Sequence, residues 1–70
     1  MRYAIVIEQA QLGFSAYVPD LPGCVAGADT RAEVVRRLRN AIELHIEGLK
    51  EDGRPAPAPA FSVETIEVCA

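Results

Sequence analysis

Residues 30–53 hold the pattern that most restricts what this chain can build. Val34, Val35, Leu38, Ala41, Ile42, His45, Ile46 and Leu49 recur at helical spacing and make one broad apolar stripe, with Arg36, Arg39, Asn40, Glu43, Glu47 and Lys50 opposite. Thr30 followed three residues later by Glu33 is a capping-box signal for the start. Asp29 and Glu33 also suit the positive end of a helix dipole. Gly53 and then Pro55 mark the stop. A lone amphipathic helix cannot bury its own stripe, so the rest of the chain must supply a surface for it. In a chain of 70 residues that leaves room for one domain, spanning residues 1–70.

The remaining segments alternate with strand period. In residues 2–8, Tyr3, Ile5 and Ile7 fall on one face, while Arg2, Ala4, Val6 and Glu8 fall on the other. In residues 14–18, Phe14, Ala16 and Val18 oppose Ser15 and Tyr17. The short connection between these runs contains Gly13, so they read as an antiparallel hairpin. CVAGA (24–28) reads as a third strand and FSVETIEV (61–68) as a last one. RPAPAPA (54–60) between helix and last strand favours an extended, semi-rigid polyproline path. The expected fold class is α+β: a single β-β-β-α-β domain, with the helix packed on one sheet face. A helix between two strands permits a parallel pairing through a right-handed crossover. One helix covers one face only, which leaves Tyr17 and Val6 on a face that is partly wet or meets a partner.

Composition narrows the role. Seven Lys and Arg against ten Asp and Glu give a formal net charge of −3. That balance argues against non-specific nucleic-acid binding, which needs clustered cations to displace counterions, and suits a basic protein partner. The longest apolar run, Ala4–Ile7, is far too short for a membrane span, and no secretory signal pattern follows Met1. Cys24 and Cys69 are therefore expected as reduced thiols of a cytoplasmic protein. With a single histidine and no CxxC pair, no metal or other cofactor is expected. A domain this small is marginal alone, and dimerisation is a natural remedy.

The segment Pro19-Asp20-Leu21-Pro22-Gly23-Cys24 is the densest local signal. Pro22-Gly23 fits the centre of a type II turn, and Asp20 is suited to capping nearby N–H groups. Leu21 has two readings: tucked beneath the helix, or presented to a partner. Asp20, Leu21 and Pro22 are accordingly candidate partner contacts, with Arg37 and Leu44 on the helix. Glu64, Ile66 and Val68 on the last strand are candidates for an oligomer edge.

These residues carry a family resemblance. Phe14-Ser15-Ala16-Tyr17-Val18-Pro19 followed by Asp20-Leu21-Pro22-Gly23-Cys24, then Gly27-Ala28-Asp29-Thr30, Glu33 near the helix start and Glu51-Asp52-Gly53 at its end, resemble the HicB antitoxins of bacterial toxin–antitoxin pairs. The resemblance implies a truncated ribonuclease H-like fold with a fourth strand parallel to the first. It also implies a partner: a small basic HicA-like toxin that cleaves messenger RNA and whose RNA-binding surface the antitoxin covers. Many members carry a C-terminal DNA-binding domain; residues 1–70 hold none, so direct DNA binding by this chain is not expected.

Two other readings stand beside it. One is a solitary homodimeric domain with no toxin. The other is a metal-dependent nuclease, which would need several carboxylates converging on metal ions. The sequence has Glu8 at the end of the first strand, Glu43 and Glu47 on the polar helix face, and Glu64 and Glu67 on the last strand, a set that reads as solvated surface. His45, inside the apolar stripe, reads as a boundary histidine rather than a general base. The expectation is a protein-binding domain that is not an enzyme.

Overall fold

The computed structural model describes residues 1–69. Three strands, β1 (Val6–Ala10), β2 (Gly13–Tyr17) and β3 (Val25–Ala28), form an antiparallel meander in the order β1-β2-β3, followed by helix α1 (Arg31–Glu51). Val6 pairs with Tyr17 and Glu8 with Ser15 across β1 and β2, while Ser15 pairs with Gly27 and Tyr17 with Val25 across β2 and β3. Residues directly opposite share a face. One face therefore presents Ile7, Phe14, Ala16, Ala26 and Ala28, and the other Val6, Tyr17 and Val25.

The β1–β2 turn brings Gly13 hard against the neighbouring backbone. Its φ is 144°, and a Cβ placed there would lie 2.5 Å from the Ala28 carbonyl oxygen. Only glycine fits a position with both restrictions. This close approach lets the hairpin end sit flush on β3 where the chain turns into α1.

Helix α1 lies over β3 and β2. Thr30 caps it, its Oγ1 accepting the Glu33 N–H at 3.2 Å. Only this half of the capping box forms, because the Glu33 carboxylate accepts instead from Arg36 at 2.8 Å and Arg37 at 3.2 Å. At the other end Gly53 N–H reaches the Lys50 carbonyl and Arg54 N–H the Leu49 carbonyl, a Schellman-type closure. The sheet-facing stripe contributes Val34 and Leu38 to a core completed by Ala16, Val18, Leu21 and Cys24. Tyr3, Ile5, Ile7, Phe14, Val35 and Ile42 pack around it. His45, Ile46 and Leu49, farther along the stripe, are half-buried.

Two expectations need correction. The first strand begins at Val6 rather than Arg2 and runs on to Ala10. More consequentially, residues 61–68 form no strand with the sheet of their own chain, and Phe61, Val63, Ile66 and Val68 are all exposed. The pattern supplies the reason. Phe61 and Val63 fall on one face of an extended segment, but Ile66 and Val68 fall on the other. Such a segment has no single apolar face to lay on a core covered by one helix.

Candidate protein-binding site

The 18–24 loop is two successive turns stacked on one another. Leu21 N–H donates to the Val18 carbonyl at 3.1 Å, and Cys24 N–H donates to the Leu21 carbonyl at 3.1 Å. Val18 N–H to the Cys24 carbonyl, 3.2 Å, closes the base. Gly23, at φ 90°, takes the position in the second turn that only glycine occupies cheaply, with Pro22 before it. Leu21 is the shared corner of both turns, and its side chain is 0% exposed, plugged into the core. Its expected role as a partner contact is thereby corrected: burial removes it from the surface. The loop's surface is Pro22 and Gly23, both exposed.

Asp20 is engaged within the chain. Its carboxylate accepts N–H groups from Ala60 at 3.0 Å and Phe61 at 3.3 Å. The Tyr3 hydroxyl donates to the Pro57 carbonyl at 2.6 Å. Prolines at 55, 57 and 59 cannot donate to a ladder, so the spacer is held by these side-chain contacts instead. Asp20 and Tyr3 together tie residues 57–61 to the rest of the domain.

Arg37 is likewise partly committed, donating to the Gly27 carbonyl at 2.8 Å and pairing with Glu33. It clips the helix to β3, while more than half of its side chain stays exposed. It also lines a shallow depression with Leu12, Phe14, Gly27 and Asp29. Leu12, at the hairpin tip, is 93% exposed. Leu44, two turns beyond Arg37 on the same side of the helix, is 69% exposed. Leu21 is inside, Asp20 is tied to the spacer and Arg37 to Gly27, which leaves Pro22 and Leu44 as the candidates free of an internal partner.

The outer sheet face offers a row the sequence reading only half anticipated. Val6, Tyr17 and Val25 lie side by side across the strands. Tyr17 and Val25 are 42% and 66% exposed. Val25 was missed because a strand reading of CVAGA does not say which of its residues faces outward until the register with β2 is fixed. A groove of about 290 Å³ between Tyr3, Ile5 and the helix residues Val35, Leu38 and Ile42 was also missed. It stands beside β1, where the expected fourth strand does not lie.

No group of three or more His, Cys, Asp or Glu side chains converges among the described residues. Glu8, Glu43, Glu47, Glu64 and Glu67 are all exposed. Cys24 and Cys69 are both free thiols. Cys24 is buried, its Sγ 4.0 Å from the Ala41 carbonyl, and burial pushes its thiol above the ordinary value of 9.0. No described helix is long and apolar enough to cross a membrane.

A three-stranded antiparallel meander under one capped helix, with an apolar row on its outer face, makes a small α+β domain. Residues 3–68 match the HicB-like antitoxins of bacterial toxin–antitoxin systems, and the chain belongs to that family. Among its relatives, a UPF0150 protein of Archaeoglobus fulgidus is 40% identical over 68 residues, covering 93% of this chain and 99% of that protein. An uncharacterized 14.9 kDa protein of Haemophilus phage HP1 is 42% identical over 57 residues, 81% of this chain and 43% of its own length. Antitoxin HicB 2 of Photorhabdus laumondii is 32% identical, covering 91% of this chain and 46% of the antitoxin. The chain thus spans less than half of these last two proteins and nearly all of the first. Among solved structures, a chain of the HicA3 and HicB3 toxin-antitoxin complex superposes with a TM-score of 0.69 at 35% identity, covering 86% of this chain and 70% of that one. The crystal structure of antitoxin HicB3 gives a TM-score of 0.72, covering 86% of this chain and 44% of that one.

Proposed function

We propose that this domain is an antitoxin that binds a small, basic HicA-like toxin and neutralises it by covering its RNA-binding surface. The observation that carries this reading is the likeness, over 86% of the chain, to a structure solved as a toxin–antitoxin complex. The net charge of −3 favours encounter with a basic protein. Neutralisation by coverage needs no catalytic group on this side of the interface, so the domain acts by binding and not as an enzyme. The reading includes a cytoplasmic site of action, where the thiols stay reduced, and no direct DNA contact by residues 1–70.

Exposed apolar side chains with few internal commitments are the natural anchors for such a contact. Leu44 and Pro22 fit that description, and the outer row of Tyr17 and Val25 extends the available surface. Arg37 contributes through its exposed portion while keeping its grip on Gly27.

Calorimetry with the protein encoded by the adjacent gene tests the reading. The expected result is a stoichiometric complex tighter than micromolar, weakened at least tenfold by Leu44→Glu. Absence of a complex at micromolar concentrations of both proteins overturns the antitoxin reading.

A further inference from the structure

Three features on the solvent side of helix α1 serve no purpose inside the domain, and they sit together. Leu44 is 69% exposed at the centre of that side. Four residues on, Gly48 lies inside the helix, where glycine is a costly choice. Its φ is not positive, and a Cβ placed there would meet nothing within 4 Å. Neither a cap, a turn nor a close neighbour in the chain accounts for it. Glu43, Glu47 and Glu51 stand at i, i+4 and i+8 along the next row, a spacing at which like charges repel. Glu47 and Glu51 also approach the negative end of the helix dipole. Among the described residues none of the three acids is paired with a cation, although Lys50 stands beside them.

Residues four apart form a ridge on a helix surface, and Asn40, Leu44 and Gly48 make one. It has a knob at Leu44 and a notch at Gly48. The backbone here is taken up by the helix and its closing turn, so it offers no edge to an incoming strand. A partner meets it through side chains alone. A helix crossing at the notch can approach to the short end of the usual ~8–10 Å separation, with one large apolar side chain over Gly48 and against Leu44. Charge decides the sign of that helix. Residues 31–39 carry four arginines against one glutamate, whereas residues 40–52 carry four acids against one lysine. The first half of α1 repels a basic partner and the second half draws it in.

We propose that the Leu44–Gly48 face of α1 receives a basic helix of the toxin, and that Gly48 sets how closely that helix approaches. This rests on the antitoxin reading and adds to it the docking element, its charge and the close-contact residue. The account has a distinctive sign. Filling the notch or neutralising the acid row strengthens the free domain and weakens the complex. A role within the fold would move stability and binding in the same direction.

Urea unfolding of the full chain, paired with calorimetry against the protein encoded by the adjacent gene, reads both signs. Gly48→Gln is expected to raise the unfolding midpoint, because a good helix former replaces glycine in open space, and to weaken the complex at least tenfold. A Glu47→Gln, Glu51→Gln variant is expected to be at least as stable as wild type, with an affinity that falls less steeply as salt is added. Three results overturn this inference alone while the antitoxin reading stands: a wild-type complex that Gly48→Gln forms as tightly, a Gly48→Gln domain less stable than wild type, or a salt dependence unchanged by the paired glutamine substitutions. Failure of the wild-type chain itself to bind overturns the antitoxin reading and this inference together.

Discussion

Replacing Leu21 with alanine removes the side chain on which the loop, both of its turns and the core converge. Leu21 is fully buried, and among the described residues the buried core otherwise holds only Ala16, Val18, Cys24, Val34 and Leu38. Buried Leu→Ala changes cost about 3–5 kcal/mol where the site cannot collapse. Collapse is restricted here, because Leu21 N–H and C=O are both tied into turns with Val18 and Cys24. A 70-residue domain has about 3.5–10 kcal/mol in all, so the variant loses from about a third of it to all of it. The midpoint of thermal unfolding should fall by about 12 °C or more. Urea unfolding followed by circular dichroism reads the loss, at matched protein concentration because association adds to stability by mass action. Leu12→Ala and Leu44→Ala, at exposed positions, serve as references and should shift stability by less than about 0.5 kcal/mol. A loss for Leu21→Ala of under about 1 kcal/mol, comparable with the references, would refute the placement of this side chain.

Other substitutions probe separate parts of the fold. Gly13→Ala forces a Cβ against the Ala28 carbonyl oxygen at a φ of 144°, and should cost more than about 1 kcal/mol in the same urea assay. Asp20→Ala frees the Ala60 and Phe61 amides; faster hydrogen exchange at those two amides, with the helix amides unchanged, is the expected result. Thiol titration under native conditions should find Cys69 reactive at once and Cys24 only on unfolding. Because burial raises the Cys24 thiol in the folded state, its contribution to stability is intact below 9.0 and is lost as pH climbs through the raised value. The urea midpoint should therefore decline more steeply above that pH in wild type than in Cys24→Ala.

Much of the architecture was legible because local chemistry and global fold agree. Thr30, the Val34-to-Leu49 stripe and Gly53 set the helix without help from elsewhere, and alternation in 14–18 placed Phe14, Ala16 and Val18 on the core side. Pro22-Gly23 announced its own turn. Leu21 was not decidable from sequence, since its burial depends on where α1 lies over the loop. The last segment misled for a physical reason. Its β-branched and aromatic content reads as a strand, but content does not say whether an apolar surface is there to receive it. The switch of apolar face between Val63 and Ile66 was the available signal that this segment has no single apolar face to lay on the core. The functional surface was less legible still. Asp20 and Arg37 looked free as side chains in a loop and on a polar helix face, yet both are engaged by backbone groups 40 and 10 residues away.

The most direct test of the antitoxin reading is an RNA-cleavage assay of a HicA-like toxin from the same genome, titrated with this chain. The account predicts that cleavage falls linearly and ends at one molar equivalent, with the RNA left intact by the chain alone. Undiminished cleavage in the presence of excess chain would contradict it.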